Sequence, residues 1–564
     1  MQKTLFFCLI LITVFSSCVN RPVQPTPAPT MTAPTPSASE LQITPTAAEP
    51  EESGYPWWNE TVFYEIFVRS FYDSNGDGIG DLQGLIQKLD YLNDGDPDTK
   101  DDLGITGIWL MPIFQATSYH GYDVTDYYSI QPDYGTMEDF KQLLAEAHAR
   151  GIRVIIDLVI NHTSVEHPWF VESRSDKNSP YRDWYIWSDT DPGYLGPWNQ
   201  DVWHFNYDNS YYYGIFWSGM PDLNFKNPAV TAEVNKISSF WLSEIGVDGF
   251  RVDGARHLIE EGQVQANTES TLAWFEQFNI KNKELNPELM TVGEVWDSNF
   301  SAAKYVKDKA FDLVFDFELS ESLLEGINGN DGKQIKNAIE FNTKLFPYLQ
   351  KANFLTNHDM NRVMSVFQQD PAKAKLGALF LLTISGVPFI YYGEEVGMLG
   401  SKPDEDIRKP MQWTASENAG FSTFSPWRAP NANYAAWNVA VEASDSDSLM
   451  NFYKQLIALR AQNSALAWGS FIPLDTDEPG VVAFLRGTDR QKIVVLANVG
   501  KTDEVVKIVF PKAVLDVGSY QVTSLLDETQ FPALTVSSSG EEAAYMPDLT
   551  IPAGGYFLLK LAKE

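Results

Sequence analysis

Short β-branched and aromatic runs recur from Tyr55 onward, each followed by a stretch long enough for a helix. They are Val62–Val68, Gly107–Met111, Val154–Leu158, Gly249–Val252, Met290–Val292, Leu313–Phe315, Phe354–Leu355 and Pro388–Tyr392. A short run that is apolar without alternation suits a strand covered on both faces, as in a parallel sheet. Eight such runs, interleaved with helical patterns such as Met137–Arg150, Ala229–Ile245 and Ser448–Gln462, predict a parallel α/β barrel over residues 55–158 and 223–465. Between the third and fourth runs, residues 159–222 are dense in Trp, Tyr, Pro, Asn and Asp, and they predict a loop domain inserted after the third strand. Residues 466–564 carry partly alternating runs, Val481–Arg486, Lys492–Asn498, Glu504–Phe510 and Tyr556–Leu561, punctuated by Gly, Pro and Asp. That pattern predicts a C-terminal antiparallel β-sandwich.

The first 54 residues follow a different rule. Lys3 precedes the apolar run Leu5–Phe15, a signal-peptide pattern too short for a transmembrane span, and the run ends in Phe15-Ser-Ser-Cys18. This ending resembles the lipobox of bacterial lipoproteins, with Phe15 where Leu is usual, so residues 1–18 are expected to be an export signal and Cys18 a lipid-anchored residue. Residues 19–54 are rich in Pro, Thr, Ser, Ala and Glu, and they predict an unfolded tether between anchor and catalytic body. The expected location is therefore extracytoplasmic, as a membrane lipoprotein or a secreted protein. Cys8, the other cysteine, lies inside the signal, which excludes a disulfide within the mature chain.

With 41 basic against 75 acidic residues, the net charge of −34 repels nucleic acid phosphates and anionic lipids, and points to a neutral substrate. Three acids stand just beyond apolar runs: Asp253, Glu294 and Asp359. The carboxyl ends of barrel strands are where this architecture places its chemistry. A set of acids there suits cleavage of a glycosidic bond, which needs one carboxylate and one protonated carboxyl. Arg251, two residues before Asp253 on the same strand, faces the same side and can keep Asp253 ionised. The neighbouring carboxylates would hold the proton on Glu294.

The segments Asp157-Leu-Val-Ile-Asn-His162, Gly249-Phe-Arg-Val-Asp253, Gly293-Glu-Val-Trp296 and Asn357-His-Asp359 resemble, in order, the four signature regions of the α-amylase family of glycoside hydrolases. Three flanking segments, Gly104–Pro112, Met220–Asn224 and Gly386–Gly393, resemble its additional regions, so the likeness spans residues 55–564. It implies a TIM-type (β/α)8 barrel, Asp253 as nucleophile, Glu294 as general acid and base, and Asp359 as transition-state stabiliser. It also implies substrate-binding roles for His120, Tyr122, His162, Arg251, Arg256, His257 and His358, with Tyr122 as an aromatic platform. Asp404 and Arg408 match a pair that grips the next sugar, and an ion pair on a solvated loop is the competing reading.

Asp73-Ser-Asn-Gly-Asp-Gly-Ile-Gly-Asp81 places oxygen ligands at alternate positions with glycines for a tight turn. It begins like an EF-hand, but Gly84 stands at the twelfth position, and the likeness is instead to a calcium loop after the first barrel strand. The implied cofactor is Ca²⁺, held by Asp73, Asn75, Asp77, Asp81 and the carbonyl of Ile79. Asn161 is a further candidate for a second calcium.

The expected activity is endo-hydrolysis of α-1,4 bonds in starch and maltooligosaccharides by a monomeric enzyme that binds no nucleic acid. Tyr119 stands where exo-acting α-glucosidases of the family carry Asp, which favours an open cleft over a closed pocket. An oligo-1,6-glucosidase, an α-glucosidase and a neopullulanase-like hydrolase are the alternatives within the family. A barrel that binds starch without cleaving it is the alternative outside catalysis, and the complete set of three acids argues against it. The six tryptophans of the insertion, Trp169, Trp184, Trp187, Trp198, Trp203 and Trp217, are expected mostly to anchor loops.

Overall fold

The computed structural model describes residues 54–564 apart from positions 97, 539 and 548. The export signal, Cys18 and the tether, up to residue 53, lie outside the described residues. Among the described residues no helix is long and apolar enough to cross a membrane.

Eight parallel strands close into a barrel: β1 (Phe63–Ile66), β2 (Gly107–Leu110), β3 (Arg153–Leu158), β4 (Gly249–Val252), β5 (Met290–Gly293), β6 (Leu313–Phe315), β7 (Lys351–Asn353) and β8 (Val387–Tyr391). Each pairs with its neighbour in sequence, and β8 closes on β1 with Phe63 opposite Phe389. Phe63, Trp109, Ile155, Met290, Phe315, Phe354 and Phe389 fill the interior as one buried cluster. The barrel is therefore a packed core whose chemistry is confined to its rim.

Seven of the eight strands fall on the apolar runs, and the seventh does not. Phe354 and Leu355 follow β7 rather than form it, and the strand is Lys351-Ala-Asn353. Lys351 is buried, with its Nζ 3.5 Å from Asp316 Oδ2, so a charged residue masks the strand in a hydrophobic reading. The first strand is shorter than its run, since Val68 begins a helical turn, Val68–Phe71. The helix expected over Ala229–Ile245 is α-helical over Pro228–Ser239 and then widens to a π-helical turn over Phe240–Ile245.

Between β3 and β4 the chain forms the helix Pro168–Ser175 and a small antiparallel sheet of Trp187–Ser188, Tyr211–Tyr213 and Trp203–Phe205. After the helix Leu449–Gln462, capped by Ser448, six strands form one antiparallel sheet; the pairs Glu504–Val505 with Thr550–Ile551, and a three-stranded sheet, lie beside it. Val481, Ala483, Leu485 and Val494 pack with Ile508, Phe510 and Tyr545 in a core of their own, which makes this a sandwich. Val482, Phe484, Ile493 and Val495, on the opposite face, belong to the barrel's cluster. Both faces of the central strands are covered, which is why their sequence alternates only in part.

Candidate active site

The register of the barrel brings the acids together. Asp157 on β3 sits opposite Arg251 on β4, and the Arg251 side chain is buried at their carboxyl ends. Its Nη1 donates to Asp157 Oδ1 at 2.8 Å and to Asp253 Oδ1 at 2.7 Å, while its Nη2 lies 2.8 Å from Glu294 Oε2. One guanidinium thus holds Asp253 and Glu294 side by side. Glu294 Oε2 also accepts the N–H of Gly254 at 2.8 Å. Gly254 reaches that position with φ at +53°, a left-handed conformation that a residue with a Cβ rarely adopts.

Burial pushes the pKa of Glu294 up, Arg251 opposes it, and the charges of Asp253 and Asp359 add to the rise, so the net shift is upward. Asp359 moves the other way. Burial alone would raise it, but His358 and Arg408 outweigh burial and hold its carboxyl well below the usual carboxylate range. The contacts are direct: Arg408 Nη2 lies 2.7 Å from Asp359 Oδ1, and His358 Nε2 lies 3.2 Å from Oδ2. His358 is pushed up to about 10, because Asp359 and Glu65 overcome the penalty of burying its charge.

A cavity of about 660 Å³ opens over these acids. Asp253, Glu294, Asp359, His120, Tyr122, His162, Arg256, His257, Asp404 and Arg408 all line it. Of the residues expected at the sugar, His358 and Arg251 lie beneath the surface rather than on the cavity wall, and the Tyr122 ring is stacked against His358 at 5.6 Å. The Tyr122 hydroxyl is 2.6 Å from His358 Nε2 and donates to Asp157 Oδ2 at 3.1 Å, so the platform is fixed at its polar end. His162 Nε2 is 3.0 Å from the carbonyl of Tyr122. His257 has both nitrogens engaged, Nδ1 with the carbonyl of Gln265 and Nε2 as acceptor from Arg256 Nε at 2.9 Å. Arg256 is held in turn by Asp297 at 2.8 Å. Arg408 is no solvated loop cation: it is buried and bridges Asp359 to Asp404 Oδ2, at 3.2 Å.

Sequence reasoning passed over several members of this site. Glu65 on β1 accepts from, or shares a proton with, His358 Nδ1 at 2.5 Å, and its signal was an acid inside an apolar run at the inward phase set by Phe63. Asp157 opened a recognised segment without being assigned a part. Trp198 and Trp217 of the insertion and Trp296 beside Glu294 line the cavity with exposed rings, whereas the aromatic density of the insertion gave no means of choosing among them.

The Asp73–Asp81 loop follows β1 and ends where Asp81 caps the helix Leu82–Gln87. Asp73 Oδ1 accepts the N–H groups of Asn75 and Gly76, Oδ2 accepts that of Gly78 at 2.8 Å, and Asp77 Oδ1 accepts that of Ile79 at 2.8 Å. A Cβ on Gly78 would stand 2.2 Å from the carbonyl oxygen of Ser425, so this turn admits only glycine. The donor set is all oxygen, as a hard cation prefers. Among the described residues no three His, Cys, Asp or Glu side chains converge as a metal cluster, and here the loop's carboxylates are turned onto its own amides.

A closed parallel barrel with acids clustered around one buried arginine at its carboxyl rim is the architecture of a glycoside hydrolase. The model of the alpha amylase catalytic domain matches residues 65–469. Alpha-amylase 3 of Dictyoglomus thermophilum is 43% identical over 454 residues, 79% of this chain and 86% of that protein. An oligo-1,6-glucosidase of Parageobacillus thermoglucosidasius is 33% identical over 529 residues, 80% of this chain and 92% of that protein. Among solved structures, the alpha-amylase from H. orenii superposes with a TM-score of 0.77 at 42% identity, covering 89% of this chain and 99% of that one. The chain belongs to the alpha-amylase family of glycoside hydrolases.

Proposed function

We propose that this glycoside hydrolase cleaves α-1,4-glucosidic bonds within starch and maltooligosaccharides, with retention of configuration. The observation that carries the reading is the single guanidinium of Arg251 joined to both Asp253 and Glu294. Two carboxyls tied to one small group are close neighbours, as a double displacement requires. Asp253 keeps Oδ2 clear of the arginine and is the nucleophile. Glu294 Oε2 accepts two N–H donors, so the proton favoured by its raised pKa resides on Oε1, from which it would pass to the leaving oxygen. Asp359, kept ionised by Arg408 and His358, stabilises the positive charge that grows on the sugar ring. Exposed rings of Trp198, Trp217 and Trp296 along an open cavity suit a chain that extends beyond the cleaved bond.

Hydrolysis of α-1,6 bonds is the second reading, favoured by the similarity to an oligo-1,6-glucosidase over 92% of its length. Product profiles on amylose, pullulan and panose separate the two. Internal cleavage of amylose with α-configured products, and slow attack on panose, is the expected result; release of glucose from panose ahead of any cut in amylose would overturn it.

Two further readings accompany the activity. Calcium bound through Asp73, Asn75, Asp77, Asp81 and the Ile79 carbonyl would stiffen the loop after β1 and takes no part in bond cleavage. A lipid on Cys18 would keep the enzyme at the outer face of a membrane, which fractionation of cells expressing wild type or Cys18→Ala tests; equal release of both into the medium would refute it.

A further inference from the structure

The turn Ala255–His257 follows Gly254, whose N–H holds Glu294 Oε2, and the N–H of Ala255 donates to the Glu294 carbonyl at 3.2 Å. Arg256 and His257, both on the cavity wall, therefore stand on the side where the acid meets the leaving group. The sequence resemblance implies that both touch the sugar. Only one of them is free to.

His257 is 3% exposed. Burial pushes its pKa down to about 4, so at neutral pH the ring carries one proton. That proton sits on Nδ1, which faces the carbonyl of Gln265 at 2.8 Å, and the lone pair of Nε2 is taken by Arg256 Nε–H at 2.9 Å. The rings of Trp198, at 5.5 Å, and Phe216, at 5.9 Å, pack edge-to-face against it. No nitrogen of His257 is left for a sugar hydroxyl.

Arg256 spends Nε on His257 and Nη1 on Asp297 Oδ2, at 2.8 Å, and its Nη2 meets no partner among the described residues. Asp297 Oδ1 accepts the N–H of Ser298 at 2.6 Å, and Oδ2 accepts from Asn267 Nδ2 at 2.9 Å as well as from Arg256. Asn267 in turn donates its backbone N–H to the Arg256 carbonyl at 2.8 Å, and its Oδ1 accepts from the Tyr305 hydroxyl at 3.1 Å. It does so with φ at +54°, a left-handed conformation that asparagine tolerates. Both oxygens of Asp297 are thus committed within the protein, and the guanidinium plane is fixed at two of its three nitrogens. A fork held in this way loses less freedom on meeting a ligand than a flexible lysine would.

We propose that Asp297 is a positioning residue for the leaving group: it turns Arg256 so that Nη2 donates to a sugar beyond the cleaved bond, while His257 only braces the guanidinium. The inference rests on the α-1,4 reading and adds the group that selects on the leaving side. A double-mutant cycle on kcat/KM for maltopentaose, in the full-length enzyme, tests it. Asp297→Ala and Arg256→Ala should each lower kcat/KM about tenfold or more, the worth of one charged hydrogen bond, and the double variant should fall no further than Arg256→Ala alone. Since the leaving group of α-maltotriosyl fluoride has no hydroxyl, the ratio of kcat/KM for maltopentaose to that for the fluoride should also drop about tenfold in Asp297→Ala. Asp297→Asn keeps the volume and should lower the same ratio by a smaller factor, which decides the matter if the alanine variant does not fold. Losses that multiply in the double variant, or a ratio unchanged in both Asp297 variants, would overturn this inference alone. A wild type that leaves maltopentaose uncut would overturn the α-1,4 reading and this inference with it.

Discussion

Glu65 Oε1 lies 2.5 Å from His358 Nδ1, which ties the first barrel strand to the loop after the seventh. The imidazolium of His358 then faces Asp359, so a residue on β1 sets the charge beside an acid almost three hundred positions later in the chain. Because the folded pKa of His358 is raised to about 10 from 6.5, its stabilising contribution is complete below about 6.5 and disappears as pH rises through about 10. Glu65→Gln should flatten the loss of Tm between these limits. An equally steep decline in variant and wild type would refute the linkage.

Glu294→Gln removes the proton donor and keeps the volume. Turnover should fall on the order of 10²–10⁴-fold with the melting temperature nearly unchanged, as should that of Asp253→Asn. In the wild type, the alkaline limb of kcat/KM should report a group above the ordinary 4.5 of a glutamic acid, since burial and two acidic neighbours raise it. A limb unmoved in Glu294→Gln would assign it elsewhere.

Arg408 holds Asp359 by one charged hydrogen bond of 2.7 Å. Its replacement by Ala should lower kcat/KM by roughly 10- to 100-fold, the worth of a lost bond to a charged group. Asp404→Asn, which leaves the Asp359 contact in place, should cost much less; equal losses would show that Arg408 acts on the sugar rather than through Asp359.

Lys351→Met leaves Asp316 buried without its cation, and the expected destabilisation is about 3–5 kcal/mol. Replacing both partners with apolar residues should recover most of it, as measured by urea denaturation. No recovery in the double variant would mean that Asp316 matters through its bonds to Leu319 N–H and Asn299 instead.

If calcium occupies the Asp73–Asp81 loop, a chelator should lower Tm, added calcium should restore it, and Asp77→Ala should abolish both responses. A wild type whose Tm ignores the chelator would refute the site.

Local pattern carried much of this protein. Buried parallel strands must be apolar on both faces, so seven of eight could be seen as runs, and acids placed just past the runs at Asp253 and Glu294 marked the rim. The seventh strand escaped because Lys351 pairs with Asp316, a residue 35 positions away, and no local pattern encodes a buried ion pair. The same limit applied to the site. That Arg251 would meet Asp253 followed from the two-residue period of a strand, whereas its grip on Asp157 and Glu294 depends on the register of β3, β4 and β5. The contact of Glu65 with His358 and the engaged nitrogens of His257 are likewise products of closure and packing. Hydrophobic burial selects the strands one by one; only the closed barrel decides which charges must share a space and therefore which of them keep their protons.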